Sequence, residues 1–340
     1  MGRAMDMDQI STFVTISRLG SFSRAAQALH RSQPAISRRI ELLKDELGAA
    51  VFERVNGQIV LTDAGAALLP YAETVLAAAR DGLDAVRALQ KGDTGRLSIA
   101  LVGTLANEAF TAMLRRFRRR HPQVEIALQT ATSREIGDLV RRGDATIGLR
   151  YLVDRSPGLV SQNVTRENLI VVCSASHPLA KRRTLRAEHL ANEKWVAFRT
   201  GSPRESFVQF LNRTLAAAGI DEPEIVPIDS LTAQKRLVES NFGIALLAES
   251  AVADELKRGT LANLSVPALR TSIPVTVIYR RDGYLSPSAR AFLSLMTGQP
   301  AAAASQAIAA LRPGNRQAGG SNRNEPRETA PNPGRRGAQQ

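Results

Sequence analysis

Residues 21–65, SFSRAAQALHRSQPAISRRIELLKDELGAAVFERVNGQIVLTDAG, decide how this 340-residue chain is read. Just before them, Ile10, Phe13 and Val14 recur at helical spacing, and Gly20 closes that helix. Ser21 caps a second helix by accepting an orphan backbone N–H. This helix is short and small-sided, with Ala25, Ala26 and Leu29, so a following helix can cross it closely. Ser32 caps that third helix, and Pro34 sits in its first turn, where a missing N–H costs little. Ile36, Ile40, Leu43 and Leu47 bury one face. The opposite face shows Gln33, Ser37, Arg38 and Lys44, with Arg39 near it. Glutamine pairs with adenine in a major groove, and arginine pairs with guanine or holds phosphate. Two apolar-rich runs, 51–55 and 58–61, flank Asn56-Gly57, a dipeptide that tolerates the positive φ of a two-residue hairpin. Thr62 then caps a new helix. Any amphipathic helix turns polar residues outward; the added hairpin makes the run a winged helix-turn-helix.

These residues also resemble the DNA-binding domain of the LysR-type transcriptional regulators. The resemblance rests on Phe13 to Leu29 around Gly20-Ser21-Phe22, on Ser32-Gln33-Pro34-Ala35-Ile36-Ser37 through Gly48, on Phe52 with Arg54, and on Leu61-Thr62-Asp63-Ala64-Gly65. It implies that Ser32, Gln33, Pro34 and Ser37 open the recognition helix onto bases and phosphates. Arg38 and Arg39 would reach the groove edge, and Arg54 and Thr62 would touch the DNA backbone. One departure stands out: many members carry basic residues at the wing tip, where this chain has Asn56, Gly57 and Gln58.

The net charge of +13 favours a polyanionic partner. Its distribution is uneven: residues 1–92 net only +1, residues 93–297 net +8, and residues 298–340 net +4. Specific DNA binding therefore rests on placed arginines. The single cysteine, Cys173, excludes an internal disulfide, suits a reducing compartment and lies in an apolar run, which reads as a buried strand. No run approaches the ~20 apolar residues of a membrane span. A cytoplasmic protein is the expectation, since the first residues also lack a signal peptide's apolar core.

Residues 62–92 read as a linker and dimerisation helix joined to a head at 7–65. Leu69, Ala72, Leu76, Ala79, Leu83 and Val86 form a coiled-coil-like seam, kinked by Pro70. From 93 to 298, strand-like and helical stretches alternate, which argues for an α/β architecture with parallel strands. Here the resemblance extends more loosely. It implies a fold class of α/β multidomain type: an N-terminal winged helix-turn-helix, a long linker helix, and a C-terminal two-lobed α/β effector domain resembling type 2 periplasmic binding proteins. Lobe 1 would take about 95–160 and 272–296, and lobe 2 about 165–266. In the stretch 238–247, Asn241 stands where the family has glycine, and Ala248 replaces a proline. Residues 299–340 read as a disordered low-complexity tail, with a short alanine-rich helix at 301–310.

The resemblance also implies a small inducer between the lobes. The loops expected to meet it carry Gly103 and Thr104, Thr132 and Ser133, and Thr200, Gly201 and Ser202. Each follows a strand and precedes a helix, offering hydroxyls and N–H groups suited to a carboxylate or another small anion. Helix capping accounts equally well for Ser133 or Ser202. Arg150, Arg199 and Arg204 lie near these loops as candidate clamps for an acid, whereas Phe198 and Phe242 read as packing residues. His30, His121, His177 and His189 are scattered, and no Walker or G-x-S-x-G motif occurs. The chain is therefore read as a non-enzymatic regulator without cofactor or metal. It would bind promoter DNA as a homodimer, assembled further into a homotetramer, under control of the inducer. Two alternatives stay open: a DNA-binding protein that needs no inducer, and chemistry hidden in the lobes.

Overall fold

The computed structural model describes residues 5–91, 95–198 and 207–298. Helix α1 (Met7–Leu19) begins at a capping box in which Asp6 and Gln9 each accept the other's backbone N–H at 2.7 Å. Helices α2 (Phe22–Ala28) and α3 (Gln33–Leu47) start at the serine caps expected, Ser21 and Ser32. Phe13, Ile16, Ala25, Ala26, Ile36 and Leu43 fill the space between the three helices. Strands β1 (Phe52–Val55) and β2 (Gln58–Leu61) pair around Asn56 at φ 49° and Gly57 at φ 79°, the hairpin geometry that the dipeptide predicts. Phe52 anchors this wing, with its ring 5.3 Å from Phe13 and 6.0 Å from Phe22.

Helix α4 (Asp63–Lys91) runs on through Pro70 as one helix, about 44 Å at 1.5 Å per residue. The expected seam splits on it. Ala72 is buried in the head, and Leu69 and Leu76 pack against the same core. Leu83 and Val86 of the expected seam stay exposed, in a stripe with Tyr71, Val75 and Leu89. Gly65 lets the start of α4 lie against the wing: a Cβ there would sit 2.1 Å from the Val51 carbonyl oxygen.

The remaining described chain continues through β3 (Arg96–Leu101), α5 (Glu108–Arg120), β4 (Glu125–Thr130), α6 (Ser133–Arg141), β5 (Ile147–Tyr151) and the long β6 (Leu159–Ser174). It goes on through β7 (Trp195–Phe198), α7 (Phe207–Ala217), β8 (Ile225–Ile228), α8 (Leu231–Glu239), β9 (Ala245–Ala248), α9 (Ala253–Arg258), β10 (Leu261–Leu264), β11 (Thr271–Arg280) and α10 (Pro287–Thr297). One seven-stranded sheet runs β10-β6-β11-β5-β3-β4, with β9 also paired to β6. The expectation of parallel strands holds for β3 with β4 and β5, and for the separate pair β7-β8. It fails for β6, β9, β10 and β11, which pair antiparallel. The reason is connectivity: β6 and β11 carry the chain out to the second lobe and back, so they run in opposite directions.

Two large apolar cores result, beside smaller clusters around Val172 and Ile136. One gathers Leu97, Ile99, Phe110, Phe117, Val277 and Phe292; the other gathers Leu169, Cys173, Trp195, Leu211, Leu215 and Leu246. Cys173 is fully buried, and its thiol is pushed up to about 11 by burial and by Glu193, in line with the inert strand residue expected. Asn241 adopts φ 64°, so it does fill a glycine's conformational place. Phe242 departs from its expected packing role and is 50% exposed. No helix among the described residues is long and apolar enough to cross a membrane. The expected helix at 301–310 and the tail lie outside the described residues.

The Gly65 contact makes a stability prediction. Gly65→Ala forces a methyl group against a backbone oxygen that cannot swing away. The expected cost is about 1–3 kcal/mol, the range for overpacking. A thermal melt followed through the head's helices checks it, and an unchanged melt would show that the wing relaxes freely.

Candidate DNA face and effector cleft

The recognition helix begins where the turn from α2 ends. His30, at φ 53°, makes that turn, and Ser32 accepts the Ala35 N–H at 3.4 Å. Ser32, Gln33, Pro34 and Arg38 are exposed at the α3 start, with Ser37 half-buried beside them. Gln33 Oε1 accepts from the Ser23 hydroxyl at 3.1 Å, which orients the amide while its NH₂ donors face outward from that bond. Arg38 faces Glu41 at 3.6 Å, but both side chains are about two-thirds exposed, so the pair is weak and easily exchanged for phosphate.

Two expected DNA contacts are used inside the protein. Arg39 turns back onto α1, where it pairs with Asp8 and reaches the Thr12 hydroxyl at 3.5 Å. The Thr62 hydroxyl donates to the Ala50 carbonyl at 2.6 Å and accepts the Gly65 N–H at 3.1 Å, so it ties wing to linker as an N-cap. Arg54 stays exposed on β1. Arg31, exposed in the turn directly before Ser32, joins the same surface and was not singled out from sequence. Its signal was a basic residue next to a helix cap, too common a pattern to read alone.

The second candidate site lies between the lobes. A groove of about 1000 Å³ is lined by Gly103, Thr104, Asn107, Glu167, Lys235 and Ser250, among others. Gly103 and Thr104 fall in a short 3-10 turn after β3. Thr104 Oγ1 donates to the Tyr151 hydroxyl at 2.9 Å, and Tyr151 donates to Glu167 Oε2 at 2.8 Å. Burial and then the neighbouring Glu167 carboxylate push the Tyr151 phenol up, so it stays a protonated donor. The other Glu167 oxygen accepts Asn107 Nδ2 and the Ser250 hydroxyl, both at 2.9 Å. Asn107 belongs to the α5 cap, Ser250 follows β9, and Glu167 lies on β6 between them, so one carboxylate holds both lobes. Sequence reading missed Glu167, because nothing local distinguishes it from a solvated glutamate.

Thr132 and Ser133 lie at the start of α6. Thr132 is the cap: its hydroxyl accepts the Glu135 N–H at 3.4 Å and donates to Glu135 Oε2 at 2.8 Å, and its own N–H donates to Glu135 at 2.8 Å. These bonds hold the Glu135 carboxyl below its ordinary range. Ser133 is therefore not the cap that would explain it away; its side chain is half-buried in the first turn. Thr200, Gly201 and Ser202 lie outside the described residues, as do Arg199 and Arg204. Arg150 is fully buried and pairs with Asp154, which is a core ion pair and no clamp for a ligand. Burial works to raise the Asp154 carboxyl, yet hydrogen bonds from Ser156 and the Arg150 charge hold it below its usual value. Among the described residues, no group of His, Cys, Asp and Glu is arranged to hold a metal ion.

Both halves of this arrangement are matched in known proteins. Residues 7–66 match the family described as bacterial regulatory helix-turn-helix protein, lysR family, and residues 90–301 match the LysR substrate binding domain. A probable RuBisCO transcriptional regulator of Porphyra purpurea is 30% identical over 292 residues, covering 84% of this chain and 91% of that one. The HTH-type transcriptional regulator CfxR of Cupriavidus necator is 26% identical over 316 residues, 93% of this chain and 98% of that protein. Among solved structures, CbnR, a LysR family transcriptional regulator, has a TM-score of 0.61 at 25% identity, covering 86% of this chain and 98% of that one. CbnR complexed with its target DNA has a TM-score of 0.60 at 26% identity, covering 86% of this chain and 99% of that one. With a reader helix at one end, a two-lobed domain at the other and relatives that span nearly all of both, this chain belongs to the LysR family of transcriptional regulators.

Proposed function

We propose that this regulator reads promoter DNA through Ser32, Gln33, Pro34, Ser37 and Arg38, with Arg54 and Arg31 on phosphates, and that a small acidic molecule between its lobes modulates the binding. The observation that carries the DNA reading is the capped, exposed start of α3, flanked by a wing on which Arg54 is exposed. Gln33 is the base reader: Gln33→Ala should weaken binding to the cognate site by ~1–3 kcal/mol and leave binding to random DNA unchanged. Arg54→Ala should weaken both alike. Titration of a site selected from a random pool, beside scrambled DNA, checks this; equal loss on both DNAs for Gln33→Ala would remove the base-reading role. Arg39→Ala acts differently, lowering the melting temperature of the head through its lost pair with Asp8.

Two heads on one promoter need a dimer. The exposed stripe of Tyr71, Val75, Leu83, Val86 and Leu89 supports pairing of α4 with a second copy. Leu83→Asp with Val86→Asp changes only exposed positions, so each chain keeps its fold. Sedimentation should then show monomers, and tight binding to a two-half-site DNA should vanish. A variant that still sediments as a dimer would move the interface elsewhere.

For the small molecule, Gly103 and Thr104, which line the groove, support a ligand at the lobe-1 side of the cleft; Ser133, in the first turn of α6 and outside that lining, joins the proposed set, with Thr132 acting through the helix cap. Thr200, Gly201 and Ser202, outside the described residues, complete the proposed set. A thermal-shift screen with small organic acids names the probe. For an acid that scores, Ser133→Ala should lower affinity by ~0.5–3 kcal/mol, the range for a lost neutral or charged hydrogen bond. Thr132→Ala should instead lower stability by ~1 kcal/mol, as the loss of a cap does. If no acid shifts the melt, the regulator that works without an inducer becomes the better reading.

A further inference from the structure

The turn between α6 and β5 grips the DNA-binding head. The Asp144 carboxylate lies 3.1 Å from Arg80 of α4, 3.1 Å from Arg142 and 3.6 Å from Arg18 of α1. Glu73 of α4, only 8% exposed, faces the same cations, Arg18 at 3.6 Å and Arg142 at 3.9 Å. Burial pushes its carboxyl up, against the pull of Arg142 and Arg18. Gly143, at φ 73°, brings the backbone onto α4: a Cβ there would lie 3.3 Å from that of Ala77, itself buried. Two turns along α4, Asp81 accepts Arg280 at 2.6 Å and the Tyr284 N–H at 3.0 Å. Three acidic and four basic residues thus join α1, α4 and the first lobe. Arg80 is exposed, but Glu73, Asp81 and Arg280 are sheltered, and a connected network of this size resists displacement more than isolated surface pairs do.

The same turn is the far end of α6. That helix has nine residues, about 13 Å of rise. Its first turn carries the Thr132 capping box and Ser133; its last runs directly into Arg142, Gly143 and Asp144. Between its ends it is seated without slack. A Cβ on Gly148 of β5 would lie 2.6 Å from Ile136 of α6 and 2.7 Å from Ile278 of β11. Ile136 and Val140 are fully buried. A helix packed this closely shifts as a unit, because its side chains interlock with the sheet.

We propose that α6 is the mechanical link between the effector cleft and the DNA-binding head, with Asp144 as the positioning residue that holds Arg18 and Arg80 to its far end. A molecule that displaces the Thr132–Ser133 end moves the Arg142–Asp144 end, and with it α1 and α4. This rests on the proposed contact of Ser133 with the ligand. It adds that the signal travels within one chain, through a contact that has charged partners to re-pair.

The test uses the full chain. Cys173 is its only cysteine and is buried, so cysteines placed at exposed Glu46 and Arg115 take spin labels selectively. Labelled chain is diluted into an excess of unlabelled chain, and the head-to-lobe distance is read by pulsed EPR. The parent should give one narrow distribution. Asp144→Asn should broaden or shift it, while Asp144→Glu, which keeps the charge, should retain it. Thr132→Val, which breaks the cap at the opposite end of α6, should shift the same distance, and Thr132→Ser should not. An unchanged distance in Asp144→Asn would show that the head is held elsewhere. A response to Asp144→Asn with none to Thr132→Val would leave a joint without transmission and overturn the link. The contact of Ser133 with a ligand fails separately, by unchanged organic-acid affinity in Ser133→Ala while Thr132→Val still moves the head.

Discussion

The antiparallel pairing of β6 with β11 is the constraint on which the larger part of this molecule depends. It runs from Thr271 opposite Leu169 to Arg280 opposite Leu159, with a slip in register between Val275 and Thr276. Each strand serves both cores. Leu169 and Ile273 pack with Trp195, whereas Val275, Val277 and Tyr279 pack with Phe117 and Phe292. Neither lobe can be completed without the other's strand ends. Relative motion of the lobes is therefore confined to bending of this two-stranded strip, and a bulge is where a strip of this kind bends most easily.

Glu167 lies on that strip, and its surroundings define the character of the hinge. Its carboxylate is satisfied by neutral donors, the Tyr151 phenol, the Asn107 amide and the Ser250 hydroxyl. Hydrogen bonds to a charged group are worth about 1.5–3 kcal/mol each, less where water competes. Two or three of them are enough to favour one arrangement of the lobes and too few to lock it. The Arg150–Asp154 pair behaves differently: fully buried, it is costly to break from one side, and it stiffens the end of β5 against the first lobe.

Local chemistry was legible in the sequence wherever its cause is local. Ser21, Ser32 and Thr62 all cap the helices they precede, and Asn56-Gly57 makes the hairpin, because each interaction spans two or three residues. The strands 195–198 and 225–228 and the helix 231–239 continue the strand-and-helix alternation read over 93–298. What escaped reading depends on partners distant in the chain. Arg39 looks like a groove residue until Asp8, 31 residues earlier, claims it. Leu76 looks like part of a dimer seam until the head core takes it, which turns the free stripe toward Tyr71 and Val75. The first half of β6 is mostly polar, with only Leu159, Val160 and Val164 turned to apolar clusters, so its strand periodicity is faint; its pairing with β11 makes it a strand. Asp144 is one acid among many until folding sets three guanidinium groups around it.

The wing tip has a consequence for ionic strength. Asn56, Gly57 and Gln58 are exposed and uncharged, and residues 1–92 carry a net charge of only +1. Each phosphate that a protein neutralises releases condensed counterions and steepens the fall of affinity with salt by roughly 0.9 in the log–log slope. A head whose wing tip brings no cation to the phosphates releases fewer ions. Its grip on DNA then owes more to hydrogen bonds at base edges, which salt does not screen, and discrimination between sites persists at ionic strengths that strip more basic readers from the duplex.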